Sequence, residues 1–419
     1  MPEQRDRHGE LRQRYESVPY ADGIFPQLHP VRLAPLARLH GHATVPNPAT
    51  ATILDLGCGA AGNLIEIAAD LPDARCLGID LAESHIGQGQ RHIRARGLDN
   101  IELRQGDLCE LDLGAVKFDY ILAHGLLSWV PDGVKERIFQ LCRGHLAADG
   151  VALISYNTYP GWSFRENLRQ LLQLHLSAVS DPRQVRQGAD DILGRLQRAL
   201  GDAEHPHAPL LHHEIKHLQQ STTNALFHDD LDTVNDPCFF LQFIAWAAEH
   251  ELDYVGDVDL SRGWPTLQSP QAREALLDGS LAPLMAEQYL DYVVNRRFRH
   301  SLLITQRSEP LRPSIDIFQG HYLRGRIKPQ VILHAPGARL TFEGVTGHQI
   351  TSDNGPAQAL LATLAETTEW QPLEEILATA AKLEPAITAD PETRPHIYRS
   401  LVECWAREMV DVASDIPRY

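Results

Sequence analysis

Residues 53–63 read ILDLGCGAAGN. An apolar run ending at Asp55-Leu56 meets Gly57-x-Gly59-x-x-Gly62 and passes into the periodic segment GNLIEIAADL. A strand that turns through glycines directly into a helix constrains the chain more than any other feature in it. The turn is tight, and a ligand must approach backbone that carries no Cβ. The helix that follows offers free N–H groups and a partial positive charge at its start. Such a unit sits at the carboxyl edge of a parallel sheet, where ligands of open α/β folds bind.

The next hundred residues fit that setting. Strand-like runs ATILDLG (51–57), RCLGID (75–80), IELRQGD (101–107), FDYILAHG (118–125) and VALISYN (151–157) alternate with helical segments at 62–71, 83–97 and 132–146. Alternation at this spacing predicts a doubly wound, mostly parallel sheet with helices on both faces, which also explains why the strands are nearly all apolar. After Pro160 the pattern becomes helical, with segments expected at 163–179, 182–200, 236–250 and 283–297, and PHAPLLHH (206–213) as a connection. From about 306, short strand-like pieces (VILHA, RLTFEG, GHQIT) precede helices at 356–367, 372–383 and 394–413. The expected fold class is α/β: a Rossmann-like domain, then a helical domain, then a small α+β unit of winged-helix type. The expected boundaries are 1–180, 181–305 and 306–419.

The glycine pattern alone also suits a dinucleotide. Asp55 decides against that, because a carboxylate before the loop would face a pyrophosphate badly but suits an ammonium. S-adenosylmethionine carries an ammonium and a sulfonium and no phosphate. Asp80 ends the second strand, where a carboxylate can accept both ribose hydroxyls, a feature shared with dinucleotide sites. Gly106-Asp107 ends the third strand, and Asp107 can accept from an adenine amine beside the backbone of Leu108. Cys58 within the loop, Asn63 in the first helical turn and Leu81 after Asp80 complete the expected cofactor contacts.

The acceptor is expected at the ends of the fourth and fifth strands, at His124 with GLLSWVP and at Tyr156-Asn157 with TYPGW. Methyl transfer depends mainly on positioning in a dry pocket. Trp129, Tyr156, Tyr159 and Trp162 are candidates for its walls, and Tyr20, His29 and His124 for a general base. The segment 15–41 is a candidate lid, with Tyr15, Tyr20 and His29 as its contacts. A metal site is not expected, because the histidines at 205, 207, 212, 213 and 217 lack H-E-x-x-H and a completing carboxylate.

The set DLGCGAAGN, GID, GDL and FDYILAHGLLSWVP resembles the motif series of class I S-adenosylmethionine-dependent methyltransferases, with Ala61 where that family commonly has a third glycine. FPQLHPVRL, YNTYPGW and HDDLDTVNDPCFFLQFIAWAAEHELDYVGD resemble the bacterial members that carry a methyltransferase regulatory domain, among them rickettsial lysine methyltransferases of outer-membrane proteins. The resemblance implies that Asp55 and the Gly57–Gly59 loop lie by the methionine part, with His124 near it. It places Asp80 on the ribose, and Asp107 and Leu108 on the adenine, with S-adenosylhomocysteine as product. It further implies transfer to a protein lysine. A small-molecule O- or N-methyltransferase and a cofactor-binding interaction protein without activity are the alternatives.

Composition narrows the partners. Lys+Arg is 38 and Asp+Glu is 55, a net charge of −17. Such a surface repels nucleic acid and attracts basic proteins, within a Debye length of ~8–10 Å. A homodimer is compatible with this composition. Six cysteines without C-x-x-C spacing, and an N-terminus lacking an apolar core, point to a reducing, cytoplasmic setting. No run reaches the ~18–20 apolar residues of a membrane span.

Overall fold

The computed structural model describes residues 23–42, 44–179, 181–201, 205–226, 230–232, 234–263, 268–305, 315–328 and 338–417. Five parallel strands form the expected sheet: β1 (Thr52–Leu56), β2 (Arg75–Asp80), β3 (Ile101–Gln105), β4 (Phe118–Ala123) and β5 (Leu146–Asn157). Two further strands, β6 (Leu252–Asp257) and β7 (Phe298–Thr305), complete it in the order β3-β2-β1-β4-β5-β7-β6. β7 runs antiparallel to both β5 and β6. The region read as mainly helical therefore also contributes two strands to the cofactor-type sheet. LDYVGD and FRHSLLIT carry polar and charged positions among the apolar ones, which hid them from a search for apolar runs.

Helices α1 (Pro30–Leu39), α2 (Gly62–Asp70), α3 (Glu83–Arg96) and α4 (Asp132–His145) flank the sheet. β1 and its neighbours are buried on both faces, with Leu54 and Leu56 in one core layer and Ile53 in the other. Beyond β5, α5 (Gly161–Leu176), α6 (Pro182–Leu200) and α7 (Ala208–Gln220) pack through Leu168, Leu172, Leu193, Ile215 and Leu218. The segment 206–213, expected as a connection, opens α7. α8 (Phe240–Glu249) and α9 (Pro283–Val293) lie against the β6–β7 side of the sheet.

That side is held by buried charge. Arg296 and Arg299 are each 1% exposed. Arg299 donates two 2.9 Å hydrogen bonds to Asp291, lies 3.3 Å from Asp257, and stacks its guanidinium 3.9 Å over the Phe240 ring. Arg296 pairs with Asp257 at 3.2 Å and Asp291 at 3.1 Å. The cluster thus joins β6, α9 and the start of β7.

The C-terminal region forms a three-stranded antiparallel sheet, order β11 (Gln371–Pro372), β8 (Tyr322–Gly325), β12 (Val410–Ala413), and a hairpin of β9 (Leu340–Glu343) with β10 (Gln349–Ser352). Helices α10 (Gly355–Glu366), α11 (Leu373–Ala380) and α12 (Arg394–Ala406) pack on it. The expected strand VILHA falls outside the described residues, and the segment expected as helix to 413 ends as β12. α1 ties this region to the sheet: the Ser414 N–H donates to the Val31 carbonyl at 2.9 Å. Among the described residues, no helix is long and apolar enough to cross a membrane.

Removing one member of a buried ion cluster leaves uncompensated charge, at a cost of about 3–5 kcal/mol. Arg299→Met is expected to lose stability by about that amount in urea unfolding at neutral pH. A loss below ~1 kcal/mol would show that the cluster does not hold β7 in place.

Candidate active site

One cavity of about 640 Å³ lies over the carboxyl ends of the strands and is lined from every part of the sheet except β6. Its size is ordinary for a small-molecule site. It sits where strand order reverses between β1 and β4, the expected place for a ligand in such a fold. Strands stand ~4.8 Å apart, so the three steps from β3 to β4 span ~14 Å and two more steps reach β7.

The floor at β1 is the glycine loop. Gly57 and Gly59 have φ of +72° and +58°, and a Cβ at Gly57 would lie 2.9 Å from Leu126. The Gly57 and Cys58 N–H groups both donate to the Ile79 carbonyl, at 2.8 and 3.0 Å. Ala61 takes φ +64° before α2, the left-handed turn for which glycine is the easier residue. Asp80 fastens the loop: its carboxylate accepts from the Gly59 N–H at 2.9 Å and the Ala82 N–H at 2.9 Å, with His85 Nδ1 at 3.2 Å. Asp80 thus serves the loop as well as facing the cavity. Asp107, whose carboxylate accepts from the Cys109 N–H at 2.8 Å, and Leu108 line the β3 end.

Asp55 is 7% exposed and lines the cavity. Burial, and to a lesser degree the nearby Asp80, push its carboxyl up to about 8. No cation is placed against it among the described residues. A buried acid of this kind is suited to receive a positively charged ligand group.

Of the expected cofactor contacts, Asp55, Gly57, Cys58, Gly59, Asn63, Asp80, Leu81, Asp107, Leu108 and His124 are brought together around this cavity. Of the expected catalytic residues, His124, Trp129 and Asn157 line it. Tyr15 and Tyr20 lie outside the described residues. Three expectations are not met, those for His29, Tyr156 and Tyr159. His29 does not face the cavity: it caps α1, accepting from the Val31 N–H, and its ring lies 3.7 Å from Asp70 on the far side. The same segment instead presents Phe25, Gln27 and Leu28, and the Phe25 N–H donates to Asn63 at 3.1 Å. Tyr156 is fully buried on the opposite face of the sheet, stacked 4.2 Å from Phe243 with its hydroxyl 3.1 Å from Ser301. Strand alternation explains this, since Asn157 faces the cavity and its neighbour must face away. Tyr159 packs on Phe239, outside the cavity lining.

The sequence reading missed His85, Phe298, His300, Arg165, His217 and Arg297, all of which line the cavity. His124 and His300 stack at 5.2 Å with planes 7° apart, Phe25 covers His124 at 4.4 Å, and Phe298 meets both edge-on. Burial, then His300, pushes His124 down to about 3, and burial also lowers His300. Both are therefore neutral at physiological pH. Trp129 and Trp162 meet edge to face at 6.3 Å.

The glycine loop, its acidic strand ends and the reversal in strand order define a cofactor-binding domain of the methyltransferase type. Comparison with known proteins agrees with that class. A methyltransferase domain model matches residues 53–150, and a predicted methyltransferase regulatory domain matches 222–305. An uncharacterized protein of Rickettsia prowazekii, RP789, is 35% identical over 289 residues, 69% of this chain and 52% of that protein. The chain thus spans about half the length of that relative. A second R. prowazekii protein, RP028, is 32% identical over 230 residues, 55% of this chain and 92% of its own. PKMT2 from Rickettsia typhi, solved alone and in complex with AdoHcy, superposes with a TM-score of 0.79 at 26% identity, covering 94% of this chain and 77% of that one. The chain belongs to the S-adenosylmethionine-dependent methyltransferases that carry this regulatory domain.

Asp55 carries a checkable pH signature. Its folded value of about 8 stands above the ordinary carboxyl value of 3.8, so the folded state holds the proton between them. Ligand-free stability contributed by this group therefore falls as pH rises from about 4 to about 8. Asp55→Asn abolishes that fall. The stability difference, variant minus native, is expected to grow in the variant's favour across this window and then level off. Thermal unfolding at stepped pH measures it, and a pH-independent difference would refute the raised value.

Proposed function

We propose that this chain transfers the methyl group of S-adenosylmethionine to a lysine side chain of a protein. The observation that carries the cofactor reading is Asp55, a buried carboxylate beside a glycine loop with no cation against it among the described residues. Asp55 and the Gly57–Gly59 backbone would hold the amino-acid part, and Asp80 the ribose. Asp107 and Leu108 would hold the adenine, with Cys58, Asn63, Leu81 and His124 around them. The bound cofactor supplies a methyl group on a sulfonium, ready for displacement.

The chain's own residues supply position and dryness. Trp129, Trp162 and Phe298 wall the space beside His124. A lysine ammonium of pKa ~10.4 costs ~4.6 kcal/mol to deprotonate at pH 7, and an apolar wall lowers that cost. The neutral His124–His300 pair can accept a hydrogen bond from the amine without bringing charge. Asn157, which donates to Asn235 at 2.9 Å, adds a polar group at the β5 end. The lysine reading rests on the resemblance to the rickettsial enzymes and on the likeness to PKMT2. Six free thiols support a reducing, cytoplasmic setting. A small-molecule acceptor is the second reading, favoured by the arginine-walled end of the cavity.

Incubation with methyl-labelled S-adenosylmethionine and a lysate split into protein and small-molecule fractions separates these readings. Label is expected in protein, on lysine after hydrolysis. Label only in small molecules would overturn the lysine reading, and label in neither fraction would overturn methyl transfer itself.

A further inference from the structure

The cavity has two ends of different chemistry. From β3 to β4 its acidic groups are Asp55, Asp80 and Asp107, set around the backbone of the glycine loop with Asn63, His85 and His124 beside them. Past β5 the wall comes from α5, α7, the residue that leads into β7 and β7 itself, and its basic groups are Arg165, His217, Arg297 and His300. The carboxylates that pair with these arginines do not line the cavity. Asp230 is 0% exposed and accepts from Arg165 Nε at 2.6 Å and Nη2 at 2.8 Å. Glu214, 1% exposed, pairs with Arg297. Each ion pair therefore turns its positive end toward the cavity and its negative end into the protein.

Arg165 is 6% exposed, and among the described residues its Nη1 has no hydrogen-bond partner. The indole Nε1 of Trp162, three residues earlier on the same helix, is also buried without a partner among them. A guanidinium held by two of its nitrogens, with the third left over at a cavity wall, is built to receive one more acceptor oxygen. Buried donors rarely go unpaired, and two on one wall ask for a ligand.

We propose that this end is a carboxylate-binding subsite for the methyl acceptor, with Arg165 as its principal donor and Arg297 and the Trp162 indole beside it. The subsite rests on the cofactor reading only for its orientation, since it lies beyond the strands assigned to the cofactor. The carboxylate belongs either to an acidic side chain near the target lysine or to a free small-molecule acid, and both present the same oxygens.

Calorimetric titration of the full chain, with and without saturating AdoHcy, tests this with two matched pairs. One pair is 4-phenylbutyrate and 4-phenylbutyramide. The other is the capped tetrapeptides Ala-Glu-Lys-Ala and Ala-Gln-Lys-Ala. The acid of at least one pair is expected to bind about tenfold or more tighter than its neutral partner, as one charge-assisted bond provides. Which pair discriminates tells the source of the carboxylate. The double variant Arg165→Gln/Asp230→Asn, which leaves no unpaired buried charge, is expected to erase the preference, and Arg297→Gln to reduce it. Equal affinity within both pairs, absence of binding by all four, or a preference unchanged in every variant that folds would overturn the subsite. The preference in the native chain decides the matter even where a variant fails to fold. AdoHcy binding, read in the same cell, tests the cofactor assignment separately, because the pairs are compared in the cofactor-free protein as well.

Discussion

The ion cluster of Arg296, Arg299, Asp257 and Asp291 is what the site geometry rests on. Charges buried this deeply are tolerated only when paired with good geometry, because desolvation costs several kcal/mol per ion. The bidentate Arg299–Asp291 pair meets that condition, and the Phe240 face adds a cation–π contact. A strand held this way cannot slip by one residue without turning the Arg299 guanidinium away from its carboxylates. β7 is thereby fixed in register against β5, with Asn157 opposite Phe298 and Ser155 opposite His300.

Register then decides chemistry. On β7, Arg299 and Ser301 face the ion cluster and Tyr156, so Phe298 and His300 must face the cavity. The segment matched by the regulatory-domain model contains both β6 and β7. It is therefore an integral part of the cofactor-type sheet, and its last strand brings an aromatic and an imidazole to the cavity wall.

Much of this was readable beforehand, and the remainder failed for stated physical reasons. β1, β2, β4, β5 and their helices were recognised because burial in the sheet writes apolar runs, the edge strand β3 from its place in the alternation, and Asp55, Asp80 and Asp107 because strand ends in such a sheet converge. Tyr156 was misplaced because proximity to a strand end was weighed without its parity. His29 was misplaced because its role as helix cap, set by Pro30 after it, turns the ring away. Arg165, His217 and Arg297 come from three separate elements whose packing no local pattern encodes. An unpaired-looking Arg in an amphipathic helix was the one available hint, and Arg165 sits on the buried face of α5 beside Trp162 and Leu168.

The two scales of charge in this molecule act in opposite senses. A net charge of −17 spread over the surface favours the approach of a basic protein, but each charge at ~20 Å through water contributes only ~0.2 kcal/mol before screening. Inside the cavity the Arg165–Asp230 and Arg297–Glu214 pairs turn their positive ends to the wall, and the medium between charges is protein instead of water. An apolar wall disfavours a charged ammonium by desolvation, so an amine that entered would be pressed toward its neutral form. Recruitment by the surface and deprotonation by the wall are then separate steps, set by different residues. Salt weakens the first through screening and leaves the second nearly untouched, because the wall charges are buried.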